Sequence, residues 1–219
     1  MKSQYRVVVI GGGVVGSSVL YHLAKMGWKD VVMLERRRLA SGSSWHAAGG
    51  VHTLNADPNM AALQAYTIDL LPKIEQESGQ NIGFHMTGGL TLAGTPERWE
   101  WLQSNYRIFQ SIGISDCELL TPEEAQKRCP IMSVDGVLGA MWADREGYID
   151  TTGTVQAYAT AAKKRGAEYY EDVKVDSLNQ TPDGWIVRTT KGDIKCEHVV
   201  NAAGLWAKQV GRMASIELP

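Results

Sequence analysis

The chain has 219 residues, of which 44% are hydrophobic and 21% are charged, and its formal net charge at pH 7 is -2. A chain of this length can bury a sizeable core, as one large domain or as most of two. Nucleic-acid binders usually carry a basic excess, so the charge argues against a nucleic acid as a partner. The three cysteines form no CxxC pair. They therefore favour neither a disulfide framework nor a zinc site, and we expect no metal and a reducing compartment.

Membrane and export signals are not expected either. No apolar run approaches the roughly 18 residues that a membrane span requires. The first predicted strand begins within five residues of the start, which leaves no room for a signal peptide. These observations predict a cytoplasmic protein with no membrane-bound part.

Residues 5–36 have the pattern of a βαβ unit. Residues 7–10 are wholly apolar and end in three glycines, which is typical of a strand buried on both faces. Apolar residues then recur at spacings of three and four as far as Gly27, which predicts a helix and its end. Residues 31–34, closed by Glu35, predict a second strand. We therefore expect an α/β fold that begins with a Rossmann-like unit.

The middle of the chain has a different pattern, in which helices begin at a capping residue followed by proline. These starts are Asp57-Pro58, Thr95-Pro96 and Thr121-Pro122. Pro72 interrupts the first of these helices and predicts a kink or break there. Between the helices, residues 89–93 and 137–142 are predicted to be strands. The pattern indicates part of an α+β substrate domain.

Three strand-like runs follow a helix predicted over residues 151–165, and the turns between them contain proline or glycine. The runs are residues 173–178, 185–190 and 194–200. They predict an antiparallel meander inserted into the first domain, with the last run returning to the first sheet. The predicted domains are a discontinuous nucleotide-binding domain over 1–55 and 150–219, and the first part of a second domain over 56–149.

Gly11, Gly13 and Gly16 form a G-x-G-x-x-G pattern between the predicted strand and helix, which is the context that dinucleotide binding requires. The glycines provide a tight turn, close approach of a diphosphate and close helix packing. The diphosphate would meet the helix N-terminus. Glu35 ends the second strand, where a carboxylate can bind ribose hydroxyls and repel a 2'-phosphate. The pattern does not distinguish NAD from FAD.

The segment SGSSWHAAGG, residues 41–50, follows the second strand and places one histidine among very small residues. Ser41–Ser44 offer hydroxyl and N–H groups to a phosphate or a flavin edge, and the alanines and glycines leave room for a planar ring. His46 is the nucleophilic side chain of the segment. From chemistry alone, a packed or hydrogen-bonded histidine and a covalent or catalytic histidine both stay open.

Three segments together resemble a known family. They are GGGVVG at 11–16 continuing to Glu35, SGSSWHAAG at 41–49 and VVNAAGLWA at 199–207. They are similar to the dimethylglycine dehydrogenase and sarcosine dehydrogenase family of flavoproteins, within the D-amino-acid-oxidase-like superfamily. The likeness runs along the whole chain, and its most specific part is Trp-His-Ala-Ala-Gly.

The resemblance implies that the cofactor is FAD, held covalently as an 8α-histidyl adduct on His46. The cofactor-binding residues predicted from the glycine pattern and the resemblance are Gly11, Gly13, Val14, Val15 and Gly16 at the diphosphate, Glu35 and Arg36 at the ribose, Gly42, Ser43, Ser44, Trp45, His46, Ala47, Ala48, Gly49 and Gly50 along the flavin, Val175 at the adenine, and Ala203 and Gly204 near the diphosphate. The fold implied is the α/β architecture described above.

The resemblance also implies an activity, the oxidative N-demethylation of a small N-methylated amino acid such as dimethylglycine or sarcosine. Electrons would pass to an electron-transferring flavoprotein or to oxygen, and tetrahydrofolate would take part in the full-length protein. Two alternatives are an oxygen-using amine or amino-acid oxidase of the same superfamily and a non-catalytic FAD-binding module or subunit. Family members continue beyond the last residue here, so we expect an N-terminal fragment that lacks the substrate clamp and the general base. His52, His85 and Tyr148 are polar candidates that we interpret as structural.

Overall fold

The computed structural model describes residues 1–52, 55 and 57–219, and contacts divide the chain into two compact units. Unit 1 consists of Met1–Ala48, Lys73–Gly83 and Asp150–Pro219. Unit 2 consists of Gly49–Pro72 and Phe84–Ile149. Two segments differ from the predicted domains. Residues 49–55 were predicted in the first domain but belong to unit 2, and residues 73–83 were predicted in the second domain but belong to unit 1.

The elements are listed here in chain order. They are β1 (Gln4–Ile10), α1 (Val14–Lys25), β2 (Val31–Leu34), β3 (Gly50–Val51), α2 (Pro58–Ser78), β4 (Gly89–Ala93), α3 (Pro96–Ser111), β5 (Cys117–Leu120), α4 (Pro122–Arg128), β6 (Gly139–Ala143), β7 (Gly147–Tyr148), α5 (Thr151–Lys164), β8 (Glu168–Tyr170), β9 (Val175–Thr181), β10 (Gly184–Thr189), β11 (Gly192–Asn201) and α6 (Ala207–Met213). Short 3-10 turns cover Ser44–His46 and Gly204–Trp206.

Unit 1 contains a six-stranded sheet in the order β8-β2-β1-β11-β10-β9. The pairs β1–β2, β2–β8 and β1–β11 are parallel, whereas β9, β10 and β11 form an antiparallel meander. The four residues of β2 are all buried, as expected for a parallel strand covered on both faces. The predicted α/β fold, with a βαβ start and an inserted meander that returns beside the first strand, is confirmed.

Residues 73–83 belong to unit 1 because the end of α2 is tied to its helices. The Glu77 carboxylate accepts hydrogen bonds from Arg165 and from the hydroxyl of Tyr21, and the bond from Arg165 is the main reason that the pKa of Glu77 is lowered. The Asp150 N–H donates to the carbonyl of Ile82 at 2.7 Å. These contacts join distant parts of the sequence, so local patterns do not predict them.

Glu168 links the edge strand β8 to β1 across β2. Its carboxylate accepts hydrogen bonds from the hydroxyls of Tyr5 (2.6 Å) and Tyr170 (2.7 Å) and lies 3.0 Å from Lys2 Nζ. Burial by itself would raise the pKa of Glu168, but these three partners outweigh burial and lower the pKa from 4.5 to about 2. A carboxyl that is more acidic in the folded chain than in the unfolded chain stabilises the fold only where it is ionised.

The stabilising contribution of Glu168 is therefore expected to be complete above about pH 4.5 and to be lost as the pH falls towards 2. Replacing Glu168 by glutamine should cost about 2 kcal/mol of unfolding free energy at pH 7, because hydrogen bonds to a charged group are lost. The difference between the two proteins should shrink near pH 2.5. Urea unfolding of both proteins at the two pH values measures this, and a difference independent of pH would contradict it.

Unit 2 contains a three-stranded antiparallel sheet in the order β4-β6-β5 and a two-stranded ribbon of β3 and β7. Helix α3 packs on the larger sheet through Leu102 and Phe109, which are buried against Met141 and Cys117. Helix α4 packs through Ala125 against Leu120 and Ala140. β3 pairs with β7, which is why the chain after Ala48 belongs to unit 2.

The predicted helix starts of unit 2 are confirmed. The Asp57 carboxylate accepts hydrogen bonds from the backbone at the start of α2, Thr95 caps α3, and Thr121 forms a capping box with Glu124 in α4. Of the predicted kink or break at Pro72, the break is wrong, because α2 runs without interruption from Pro58 to Ser78. A proline removes only its own N–H, and the buried side chains on either side of it keep the helix together.

No helix within residues 1–52, 55 and 57–219 has the length and apolar character needed to cross a bilayer. The described residues likewise contain no group of three or more His, Cys, Asp or Glu side chains able to hold a metal ion. The cysteines are free thiols. Burial raises the pKa of Cys196 to about 11, so this thiol is not a nucleophile near neutral pH.

Candidate functional site

The carboxyl ends of β1, β2 and β11 meet at one edge of the unit 1 sheet, the usual position of ligand sites in open α/β folds. The Gly11 N–H donates to the carbonyl of Leu34 at the end of β2 (2.9 Å), and the Ala202 N–H donates to the carbonyl of Ile10 at the end of β1 (2.9 Å). The three strand ends are thereby joined by backbone hydrogen bonds. The glycine turn, Glu35 and the 202–204 segment follow directly from these ends.

Steric requirements explain two glycines of the predicted pattern. A Cβ at Gly16 would clash with the carbonyl oxygen of Gly11, so α1 passes the β1 turn closer than any side chain permits. Gly11 has φ +112°, and a Cβ there would clash with the carbonyl of Ala202 and lie 3.1 Å from Cα of Ala203. A Cβ at Gly13 would lie 3.2 Å from Oγ of Ser44. The predicted roles in the turn and in helix packing are thus visible in the structure.

The N-terminus of α1 opens at this edge. Its N-cap is Gly13, which has no side chain to satisfy the first helical N–H groups. The Val14 N–H donates to Oγ of Ser44 at 2.9 Å, while the side chains of Val14 and Val15 are 44% and 61% exposed. Unpaired N–H groups and the positive end of the helix dipole favour an anion such as a diphosphate.

Glu35 lies over the glycine turn. Its Oε2 accepts a hydrogen bond from the Gly12 N–H at 2.7 Å, and its Oε1 accepts one from the Arg37 N–H at 2.8 Å. A Cβ at Gly12 would lie 2.8 Å from Cβ of Glu35, so a side chain at this position would displace Glu35. The sequence pattern does not single out this glycine. Binding of a ribose by this carboxylate stays a prediction.

Arg36 and Trp206 form a stacked pair that sequence reasoning missed. The guanidinium carbon of Arg36 lies 3.7 Å from the ring centroid of Trp206, and a Cβ at Gly42 would lie 4.0 Å from the same ring. Such a stack holds a flexible cation in one position. The Trp206 side chain is half-buried. Its position in the VVNAAGLWA segment is the indication in the sequence that Trp206 lies near the site.

The histidine segment begins beside the turn, because the Ala40 N–H donates to the carbonyl of Gly12 at 2.9 Å. Ser43 is at the N-cap position of the 3-10 turn that contains Trp45 and His46, without a side-chain capping bond. The Trp45 and His46 rings lie against each other with centroids 3.8 Å apart and planes at 35°. The side chains of the segment that are exposed are those of Ser41, Ser43, Trp45, His46, Ala47 and Ala48. An exposed imidazole has its nitrogens available for chemistry.

The remaining residues predicted to bind the cofactor lie in three other parts of the chain. Val175 is buried at the start of β9. Val175 pairs with Thr189 of β10 where the register of the two strands shifts, and β9 is the outer strand of the sheet. Ala203 lies beside Gly11, and Gly204 is the first residue of the 3-10 turn that follows. Gly49 and Gly50 belong to unit 2.

These residues fit a dinucleotide. The N-terminus of α1, whose N-cap Gly13 has no side chain, can supply N–H donors to a diphosphate. The carboxylate of Glu35 can accept hydrogen bonds from ribose hydroxyls. The cofactor-site assignments nevertheless stay predictions for the individual residues.

Several known proteins are similar to this chain along its whole length. The family model described as FAD dependent oxidoreductase matches residues 6–219. Mitochondrial dimethylglycine dehydrogenase of Rattus norvegicus is 36% identical over 100% of this chain and 25% of its own length, and mitochondrial sarcosine dehydrogenase of Homo sapiens is 36% identical over 100% and 24%. The crystal structure of L-proline dehydrogenase from P. horikoshii has a TM-score of 0.92 and 30% identity, over 100% of this chain and 58% of that one.

The chain thus spans about a quarter of the length of these two curated relatives, of which it covers 25% and 24%. The resemblance to dimethylglycine and sarcosine dehydrogenases predicted from the sequence is confirmed at the level of family. The family match covers both units and includes the glycine turn, the histidine segment and the return strand. The chain therefore belongs to the family of FAD dependent oxidoreductases.

Proposed function

We propose that the protein containing this chain uses FAD to oxidise the N-methyl group of a small N-methylated amino acid, such as dimethylglycine or sarcosine. The observation that carries the proposal is the exposed His46 in a segment of very small residues that is tied to the glycine turn. The similarity to dimethylglycine and sarcosine dehydrogenases supports the choice of substrate class.

Different residues of unit 1 bind different parts of the cofactor. The N–H groups at the start of α1 bind the diphosphate, Glu35 and Arg36 bind the adenosine ribose, and the outer backbone edge at Val175 pairs with the adenine. When bound, FAD accepts the hydride equivalent that leaves the substrate. The chain contributes binding and orientation to this chemistry.

Covalent attachment of FAD to His46 is the second part of the proposal. The imidazole is a nucleophile, it is exposed, and Ala47 and Ala48 leave space for a planar ring beside it. The stacked Trp45 ring restricts the motion of the imidazole, because rotation would break the contact at 3.8 Å. We propose that electrons pass on to an electron-transferring flavoprotein or to oxygen, and that tetrahydrofolate receives the one-carbon unit in the full-length protein.

Anaerobic mixing of the full-length protein with dimethylglycine or sarcosine tests the function. The visible flavin absorbance should fall with these compounds but not with trimethylglycine, whose nitrogen carries no lone pair. Admitting air then separates the two kinds of acceptor, because an oxidase regains its colour quickly and releases peroxide whereas a dehydrogenase does not. Flavin that no N-methylated amino acid reduces would contradict the proposal and favour a non-catalytic FAD-binding subunit.

A further inference from the structure

The 3-10 turn that ends at Trp206 is held at both ends by one side chain. Asn201, the last residue of β11, donates from Nδ2 to the carbonyl of Ala207 at 2.8 Å and accepts at Oδ1 a hydrogen bond from the Ala203 N–H at 3.3 Å. Inside the turn, the Trp206 N–H donates to the carbonyl of Ala203 at 3.0 Å. Asn201 pairs with Ile10 of β1, so these bonds fix the indole relative to the two central strands.

The indole of Trp206 lies against two segments that are also bonded to the glycine turn. Its ring centroid is 3.7 Å from the guanidinium carbon of Arg36, and a Cβ at Gly42 would lie 4.0 Å from the ring. Arg36 directly follows Glu35, whose carboxylate accepts a hydrogen bond from the Gly12 N–H. The chain just before Gly42 donates to the carbonyl of Gly12. Trp206 therefore contacts two segments of unit 1 that are predicted to bind the cofactor.

A second arginine–tryptophan stack in unit 1 shows what distinguishes Arg36. The guanidinium carbon of Arg6 lies 4.1 Å from the ring centroid of Trp28, and Nε of Arg6 also pairs with the carboxylate of Glu197 at 3.2 Å. Within the residues that the structure describes, no carboxylate pairs with the guanidinium of Arg36. Stacking covers the face of a guanidinium and leaves the N–H donors in its plane. Those of Arg36 are therefore available to the acceptor atoms of a ligand.

We infer that Trp206 is a positioning residue for the cofactor, whose ring holds the Arg36 guanidinium ready to bind oxygen atoms of the adenosine diphosphate part of FAD. The inference rests on the proposed function, in which Arg36 binds the cofactor. An ionised Glu35 only accepts hydrogen bonds, whereas the neighbouring guanidinium only donates them. The two side chains thus supply complementary partners for a ligand that carries both hydroxyl groups and anionic oxygen atoms.

The stack matters because Arg36 is exposed. An unrestrained arginine has many rotamers, and ordering it on a ligand costs conformational entropy. The Trp206 ring restricts the guanidinium before the cofactor binds, so less entropy remains to be lost. This role passes entirely through the arginine. Loss of the indole should therefore weaken FAD binding when Arg36 is present and have little effect when Arg36 is absent.

The test is a double-mutant cycle on FAD affinity in the full-length protein. All variants carry His46→Ala, so that FAD binds reversibly and the Kd can be measured by titrating the apoprotein with FAD. Trp206→Leu should raise the Kd about 10-fold, because a cation–π contact is lost. Arg36→Ala should raise it about 30-fold, because hydrogen bonds from a charged group are lost. Adding Trp206→Leu to Arg36→Ala should raise it by less than about twofold further, since the two residues act as one unit.

Trp28→Leu is the matched control, because it also removes a half-buried indole from an arginine stack of unit 1. It should leave the Kd for FAD unchanged. Trp206→Phe keeps an aromatic face for Arg36 and should raise the Kd only about threefold. If circular dichroism shows that Trp206→Leu does not fold, the same cycle is completed with Trp206→Phe. Calorimetric titration with ADP, which lacks the flavin, should show the same factor for Trp206→Leu as titration with FAD.

A Trp206→Leu protein that binds FAD as tightly as its parent overturns the inference. A loss of equal size with and without Arg36, or an equal loss in Trp28→Leu, overturns it as well, because the indole would then be a structural residue only. Unchanged ADP affinity beside weakened FAD affinity would place the contact at the flavin and would also overturn it. These titrations contain no amine substrate. Failure of the proposed function is therefore a separate result, namely bound flavin that no N-methylated amino acid reduces.

Discussion

Replacing Gly16 by alanine is expected to abolish flavin binding and to destabilise unit 1. The new Cβ would clash with the carbonyl oxygen of Gly11, a backbone atom that cannot rotate away. Relief requires α1 to move from the end of β1, which displaces the helix N–H groups that the diphosphate needs. Overpacking of this kind costs about 1–3 kcal/mol. The flavin-to-protein ratio after purification should fall close to zero, and the thermal midpoint of the colourless protein should fall by several degrees.

Gly94→Ala is the matched control for this substitution. A Cβ at Gly94 would lie no closer than 3.6 Å to its nearest neighbour, the carbonyl oxygen of Gly136, which is an ordinary contact distance. The control should therefore keep its flavin and its thermal midpoint. A Gly16→Ala protein that is as yellow as the control would mean that the close approach of α1 to β1 is not required for binding.

Replacing His46 by alanine should convert all covalent flavin to flavin that acid releases. The exposed imidazole makes few packing contacts, so the protein should fold and bind FAD through the diphosphate and ribose residues. Acid precipitation followed by fluorescence of pellet and supernatant measures the change. Wild-type flavin should stay with the pellet, and the flavin of the variant should be entirely in the supernatant.

His198→Ala controls for the loss of an exposed histidine from the same unit, since the His198 side chain is 57% exposed. It should keep its flavin in the pellet. Flavin that remains covalent in His46→Ala would place the attachment on another residue. Flavin released by acid from the loaded wild-type protein would show that no covalent bond forms.

Much of unit 1 could be predicted because its signals are local. The apolar run of β1, the glycines after it and the acidic end of β2 each follow from neighbouring residues, and together they predict the βαβ unit. The helix starts at Thr95 and Thr121 are equally local, since a capping side chain bonds to a backbone group within three residues.

The features that could not be predicted depend on residues far apart in the chain. Arg36 meets Trp206 only because β11 returns beside β1, and His52 meets Glu146 only because β3 pairs with β7. Nothing in either local sequence specifies these partners. The break predicted at Pro72 was a local expectation, but the residues around Pro72 are buried and the helix continues through it.

Peptide mapping of the flavin is the most direct test of the central claim, that FAD is bound at the strand edge of unit 1 with His46 beside its ring. Trypsin should release residues 39–73 as one peptide, which contains both His46 and His52. We predict that this peptide carries the mass of FAD less two hydrogen atoms and that fragment ions place the addition on His46. An unmodified peptide, or an addition placed on His52, would contradict the account.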